Sequence, residues 1–313
     1  MTQSVLVTGA AGFIGSHSVE WLLGQGGMRV VGVDNLRTGR LANLAVARAS
    51  PDFEWVLADA GDETAMRALF QQHSFAGVLH LAALVSVPES FREPALNYRL
   101  NLAMADSLAR LCVEFDCRRL VFASSAAVYG ASTALPNRES ATPQPQSPYA
   151  AAKLAAEVML LGYAASYGLE VVCLRYFNVY GPRQDPGSPY SGVLSIFTDR
   201  FRHGLPVTVY GDGEQTRDFI SVRDVARVNG LAVTGAHMTS DRYNVCTGHA
   251  VSLNQVLAIY RELFPGSPPP EHAAARIGDI RHSLGDPDAL RRMLAFTTEV
   301  SFAHALRELA YWA

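Results

Sequence analysis

The sequence predicts an α/β fold: a doubly wound parallel sheet followed by a smaller, C-terminal mixed α/β region. Three observations carry that expectation. Over residues 4–177, short apolar runs alternate with longer segments of helical period, as βαβ units do. The first run leads straight into a glycine-rich turn and then a helical segment. After residue 177 the alternation stops in a stretch rich in proline and glycine.

The elements follow in order. Strand-like runs cover residues 4–8, 29–34, 53–59, 77–82, 119–124 and 170–177, and helical patterns cover 12–23, 63–72, 98–115 and 148–167. Runs 4–8 and 119–124 hold β-branched or aromatic residues and few charges, as strands covered on both faces should. Residues 178–191 hold three prolines and two glycines and read as a long loop, a feature that is usually functional. Residues 265–270 (PGSPPP) form a second irregular stretch. The run 216–222 and the helical pattern 225–232 are expected to return to the main sheet. The chain of 313 residues then divides into 1–177 with 219–245, and 178–218 with 246–313.

Composition narrows the function. Twenty-six Lys+Arg against 29 Asp+Glu give a net charge of −3, which offers no electrostatic case for nucleic acid or an anionic membrane. No apolar run reaches the roughly 18 residues that a spanning helix needs. The opening MTQSVLVTGAAG enters a strand with no basic segment before it, so no secretory signal is expected and a cytoplasmic location is. Cys112, Cys117, Cys173 and Cys246 show neither a CxxC pair nor a metal-ligand spacing, and read as buried reduced thiols with no metal. Of the 26 basic residues, 25 are arginine, and Lys153 is the single lysine. A chain that uses arginine everywhere else keeps lysine where a compact point charge on a flexible stem is needed.

The glycine turn reads Gly9-Ala-Ala-Gly12-Phe-Ile-Gly15. Glycine permits the tight turn and lets backbone approach a pyrophosphate, and the helix N-terminus supplies N–H groups and a positive dipole end. The second strand ends in Asp34, 19 residues past Gly15, where an acid binds the adenosine ribose hydroxyls. Strand, turn, helix and acid together predict a bound dinucleotide. Asp34 disfavours a 2′-phosphate and so favours NAD over NADP, while Arg37 and Arg40 nearby keep the second cofactor open. Asp59, at the end of the third run, is either an adenine acceptor or a helix cap.

Tyr149 and Lys153 lie four residues apart in a helical segment, on one face, and Ser125 follows the run ending FASS. That grouping suits oxidation of a sugar hydroxyl. A tyrosine has an ordinary pKa of about 10, and bringing it to neutrality requires roughly 4 kcal/mol of phenolate stabilisation. A neighbouring ammonium and a positive nicotinamide ring can supply it.

The motifs VTGAAGFIGS, VVGVDNLRTG, HLAALVSVPES, FASSAAVYG, SPYAAAK, RYFNVYGPRQDP, GDGEQTRDF and RIGDIRHS occur in that order across nearly the whole chain. In these the chain resembles the extended short-chain dehydrogenase/reductase family, specifically its nucleotide-sugar 4-epimerases. The resemblance implies a Rossmann-type fold and bound NAD. It makes Ser125, Tyr149 and Lys153 the catalytic set, with Tyr149 taking the 4-hydroxyl proton while C4 hydride goes to NAD and later returns to the other face. It adds Phe13, Ile14, Asn35, Ala60, Leu81, Ala82, Ala83 and Tyr176 to Gly9, Gly12, Gly15, Asp34, Asp59, Tyr149 and Lys153 as cofactor contacts.

For a UDP-sugar substrate, the resemblance implies Ser86, Ser125, Tyr149, Asn178, Val193, Tyr210, Arg217, Arg276, Asp279 and Ser283. Arg217 and Arg276 would hold the diphosphate or else form surface ion pairs. Asn178 would bind phosphate or sugar, and Asp279 the ribose. Tyr210 would lie against uracil or simply pack. A homodimer is implied through helices 98–115 and 148–167, whose apolar faces suit ordinary core equally. The resemblance is weakest over residues 294–313.

Substrate choice rests on four positions. Ala126 and Ala127 stand where related 4,6-dehydratases carry an Asp-Glu pair and uronate decarboxylases keep a glutamate, which disfavours both reactions. Asp185 follows GPRQ where uronate epimerases place an arginine, so a neutral hexose is expected. Ser283 stands where a tyrosine would close the pocket to a 2-acetamido group, so Glc/Gal and GlcNAc/GalNAc are both expected. Ser86 and Ser191 suit either class. A uronate 4-epimerase, a net NAD-dependent oxidoreductase and a non-catalytic NAD-binding regulator are the competing readings.

Overall fold

The computed structural model describes residues 3–185, 192–236, 238–275 and 280–312. Its main sheet is built from β1 (Gln3–Thr8), β2 (Met28–Asp34), β3 (Phe53–Leu57), β4 (Phe75–His80), β5 (Arg119–Ser125) and β6 (Glu170–Tyr176), each within about two residues of its expected run at both ends. The helices between them are α1 (Phe13–Gly24), α2 (Glu63–Gln72), α3 (Val87–Arg92), α4 (Pro94–Tyr98), α5 (Met104–Glu114) and α6 (Pro148–Tyr167). All strand pairs in the sheet are parallel.

Alternation along each strand fills two layers. Val5 and Val7 of β1 face a core with Val19 and Leu22 of α1, whereas Leu6 faces the opposite core with Met66 and Leu69 of α2. The second core continues through Leu108 and Cys112 of α5 to Ala156 and Leu160 of α6. A sheet buried on both faces needs helices on both, and the period of two decides which side chain goes where.

The expected helix 98–115 begins earlier and is interrupted. α4 starts at Pro94, a π-helical turn covers Arg99–Ala103, and α5 follows. Such bulges mark places where a helix is re-aimed, often at functional sites. Here the turn carries Asn101, 1% exposed, whose amide donates to Leu84 O (2.9 Å) and to Asn97 Oδ1 (2.8 Å). Asn97 in turn donates to Pro148 O at 2.9 Å, one residue before Tyr149.

The smaller half holds β7 (Asn178–Tyr180), α7 (Val193–Arg202), β8 (Thr208–Tyr210), β9 (Thr216–Ser221), β11 (Ala250–Ser252), α9 (Leu253–Leu263), β12 (Glu271–Ala273) and α11 (Phe302–Tyr311). Its core is aromatic, with Phe197, Phe201, Phe219 and Tyr260 packed against Leu306 and Leu309. Between these elements the chain revisits the larger half through α8 (Val222–Thr234), β10 (Asp241–Val245) and α10 (Asp288–Leu294).

Two expectations need correction. The run 216–222 does not join the main sheet, because β9 lies between β11 and β7 in a separate three-stranded sheet. The return is made instead by α8, which packs on α1, and by β10, which pairs with β6 to give the order β3-β2-β1-β4-β5-β6-β10. Nor does 246–313 stay in the smaller half. Leu290 and Phe296 are buried in the core shared by α1 and α8. Apolar pattern alone does not say which of two neighbouring cores a short helix will join. No helix among the described residues is long and apolar enough to cross a membrane.

Candidate active site

The strand order reverses between β1 and β4, and clefts open at the carboxyl ends of strands at such a switch point. The glycine turn sits there. Gly9 has φ +71°, and a Cβ on it would come within 2.8 Å of Ala82 N. A Cβ on Gly15 would fall 2.0 Å from Gly9 O, so α1 packs flush against the turn. Gly12 is the N-cap of α1 and offers no side chain to its first N–H groups, those of Phe13, Ile14 and Gly15. This is the cradle that a diphosphate would occupy.

Asp34, 9% exposed, accepts from Ala11 N (3.0 Å) and Leu36 N (2.7 Å), and burial pushes its carboxyl above the usual range. It therefore shapes the loop that follows β2 and the glycine turn beside it. Both arginines that kept a 2′-phosphate open are paired. Arg37 meets Glu89 at 2.6 Å and Arg40 meets Asp185 at 2.5 Å. Asp59 caps no helix: it accepts from Gly61 N (2.8 Å) and Asn35 Nδ2 (3.2 Å), while Asp62 caps α2. Asp59 lines a cavity of about 410 Å³ with Arg99 and Ser107, and Ala60 beside it is buried.

Leu81, Ala82 and Ala83 follow β4, and the first two donate backbone N–H to Thr8 O and Thr8 Oγ1, both at 3.2 Å. Thr8 Oγ1 also shares a hydrogen bond with His80 Nδ1 at 2.7 Å. His80 is 1% exposed, and burial, with the Lys153 charge as a lesser cause, drives its pKa down to about 3. An unfolded histidine binds a proton below about pH 6.5, and this one does not until far lower. Stability is therefore lost as pH falls through that window. His80→Asn is expected to flatten the dependence by about 2 kcal/mol between pH 7.5 and pH 5, read from urea midpoints of the two proteins.

Ser125, Tyr149 and Lys153 come together at the end of β5. Ser125 Oγ accepts from Ala127 N at 3.2 Å and is near enough to the Tyr149 hydroxyl to favour its ionised form. Lys153, 2% exposed, donates to Ala123 O at 2.8 Å and lies 5.9 Å from the Tyr149 ring centroid and 4.8 Å from that of Phe122. Burial lowers the Lys153 ammonium to about 7, and Glu157 opposes this. Among the protein's own groups, burial pushes the Tyr149 phenol above its ordinary value and Ser125 opposes this, so any lowering toward neutrality falls to the bound cofactor.

The substrate-side residues divide. Asn178, Val193, Tyr210 and Arg217 line one cavity of about 460 Å³ in the smaller half. Arg217 Nη1 donates to Thr216 O (2.9 Å) and Arg281 O (3.2 Å), and Asn178 Nδ2 donates to Asp218 O (3.2 Å). Gln184, Arg200 and Gln215 share that wall and were not anticipated. Ser283 N donates to Thr216 O at 3.1 Å, next to Arg217 of the cavity wall. Ser86 is 1% exposed and caps α3 through Glu89 N at 2.8 Å, so its hydroxyl is committed to the fold. Tyr176 donates its hydroxyl to Asn229 of α8 at 2.6 Å and is 8% exposed, packed in the core beneath α1 and α8. Arg276, Asp279 and Ser191 lie outside the described residues.

Sequence reasoning also missed Glu157, Arg175 and Asp218, all buried. Asp218 accepts from Thr247 N (2.8 Å) and Gly248 N (2.9 Å), and so fixes the loop behind Arg217. A signal existed for Glu157: it and Lys153 are the only charged residues in α6.

A glycine cradle at the switch point, with a Tyr–Lys pair at the next strand end but one, defines a dinucleotide-dependent enzyme of the short-chain dehydrogenase type. Residues 5–246 match the description "NAD dependent epimerase/dehydratase family". The chain belongs to this family, and NAD is its cofactor. A UDP-glucose 4-epimerase of Mycolicibacterium smegmatis is 37% identical over 308 residues, spanning 96% of this chain and 95% of its own length. Among solved structures, the UDP-glucose 4-epimerase of Thermotoga maritima with UDP-glucose superposes with a TM-score of 0.93 at 35% identity, over 99% of this chain and 98% of that one. The UDP-N-acetylglucosamine 4-epimerase of Methanobrevibacter ruminantium, in complex with UDP-N-acetylmuramic acid, gives 0.91 at 36% identity, over 100% and 98%.

Proposed function

We propose that this NAD-dependent nucleotide-sugar 4-epimerase inverts C4 of UDP-Glc/UDP-Gal and of UDP-GlcNAc/UDP-GalNAc. The observation that carries the reading is the meeting of Ser125, Tyr149 and Lys153 at the end of β5, with Ala126 and Ala127 beside them offering no second acid or base. Bound NAD supplies a hydride acceptor that can return what it takes. Tyr149 removes the proton from O4 and later gives it back, Ser125 hydrogen-bonds the same oxygen, and the Lys153 ammonium favours the phenolate. Arg217 and Asn178, from β9 and β7, hold the diphosphate side, with Arg276 and Asp279 assigned to the nucleotide by the family resemblance. A charge-assisted guanidinium contact suits a diphosphate.

Breadth toward acetamido sugars rests on Ser283. Installing tyrosine there is expected to cut kcat/KM for UDP-GlcNAc at least about tenfold while sparing UDP-Glc, because a bulky ring excludes the extra group. Equal retention of both activities would refute the pocket argument. The observation favouring a uronate is Asp185: its carboxylate faces Arg40 and so is less able to repel a substrate carboxylate.

Incubation with UDP-Glc, UDP-GlcNAc and UDP-GlcA, followed by resolution of the C4 epimers, tests the assignment. Product without NADH build-up is expected from the first two. Stoichiometric NADH release would mark a net oxidoreductase, and turnover of UDP-GlcA alone a uronate epimerase. We also infer a homodimer, since Tyr98 at the end of α4 and Val158 on α6 are 43% and 63% exposed, and a cytoplasmic setting, which suits four buried free cysteines.

A further inference from the structure

Three residues spaced one turn apart on the buried face of α6 each meet one of three consecutive residues of β5. Tyr149 neighbours Ser125, Lys153 donates to the Ala123 carbonyl, and Glu157 Oε1 accepts from the Ser124 hydroxyl. Glu157 is 1% exposed and Arg175, on β6, 0%. Arg175 fills the rest of the carboxylate, Nε to Oε1 at 2.9 Å and Nη2 to Oε2 at 2.6 Å. Ser124 and Arg175 are register partners across β5 and β6, so both donors reach Glu157 from one point of the sheet. Arg175 also lies 4.8 Å over the Tyr129 ring, whose hydroxyl donates to Asn244.

A buried ion pair is a poor device for stability alone. Desolvation of each ion costs several kcal/mol, and apolar replacements often serve as well. An acid here does something an alkyl group would not, which is to place charge near Lys153. The other groups facing Lys153 are the Phe122 ring and the Ala123 carbonyl on β5, the Tyr149 phenol on α6 and the neutral His80 on β4. Arg175 is bonded to the Glu157 carboxylate itself. The carboxylate acting on the ammonium is that of Glu157.

We propose that Glu157, clamped by Arg175 and Ser124, is a positioning residue for the Tyr149–Lys153 pair: it fixes α6 in register on β5 and keeps a negative charge one turn behind the ammonium. The proposal rests on Tyr149 and Lys153 being the reacting pair.

Lys153 is the single lysine, so labelling with ¹³Cε-lysine gives one side-chain signal from the full-length, NAD-loaded protein. Its titration midpoint is expected to fall by about one pH unit in Glu157→Gln. The alkaline limb of kcat is expected to fall with it, while KM for the sugar nucleotide stays unchanged. A folded variant whose midpoint does not move overturns the proposal, because a purely structural clamp leaves that titration alone. If the single substitution leaves Arg175 too costly to bury, the double variant Glu157→Gln/Arg175→Met removes both charges. The midpoint is then expected to fall by less, because loss of the guanidinium offsets part of the loss of the carboxylate, and a folded double variant whose midpoint does not fall carries the same refutation. The titration needs no turnover. A wild-type protein that does not epimerise UDP-sugars would therefore sink the functional reading and leave this measurement standing.

Discussion

Tyr149→Phe is expected to lower kcat by about 10³-fold or more while the purified protein keeps its full complement of NAD. Loss of a positioned general base costs about 10²–10⁴. The hydroxyl here also neighbours Ser125, the second residue proposed to contact the same substrate oxygen, so its loss alters the setting of both. The ring itself stays, 9% exposed at the start of α6, and the cradle at Gly9–Gly15 is untouched. Measuring epimer interconversion and cofactor content on the same preparation separates the two effects. Turnover within about tenfold of wild type would mean that another group moves the proton.

Gly15→Ala is the second large effect, and it falls on cofactor and fold together. The added methyl would lie 2.0 Å from Gly9 O and 2.8 Å from Gly9 C, both backbone atoms that no rotamer change can move aside. Either α1 withdraws from the turn or the turn opens, and both spoil the approach of backbone N–H to a diphosphate. Overpacking of this kind costs about 1–3 kcal/mol, and more where backbone must shift. NAD recovered per chain after denaturation is expected to drop at least tenfold, with a lower urea midpoint in the same sample. Full cofactor content in the variant would show that the diphosphate sits elsewhere.

How much of this was legible in the chain follows from the range of the forces involved. The bounds of α2 and α6 coincide with the expected segments because local signals set them: Asp62 caps one, and Ser147 with Pro148 opens the other. Tyr149, Lys153 and Ser125 stood out as a candidate group because their chemistry is unusual for their positions. What was missed is decided by partners distant in sequence. The break between α4 and α5 is tied to the amide chain from Leu84 through Asn101 and Asn97 to Pro148. β9 reads as any buried strand, and only its pairing with β7 and β11 puts it in the smaller half. Glu157 needed Arg175 and Ser124, which come from two other strands, before its burial made sense.

The path of the chain between its two cores has a mechanical consequence. After β6 it enters the smaller half at β7, goes back for α8 and β10, leaves again for β11 and α9, returns for α10, and ends in α11. Neither half is one continuous piece of polypeptide, so neither can be excised with a single pair of cuts. Opening the cleft between them would require several crossings to bend together, which resists wide hinge motion. Heat or denaturant should accordingly melt both cores in one concerted step rather than in sequence.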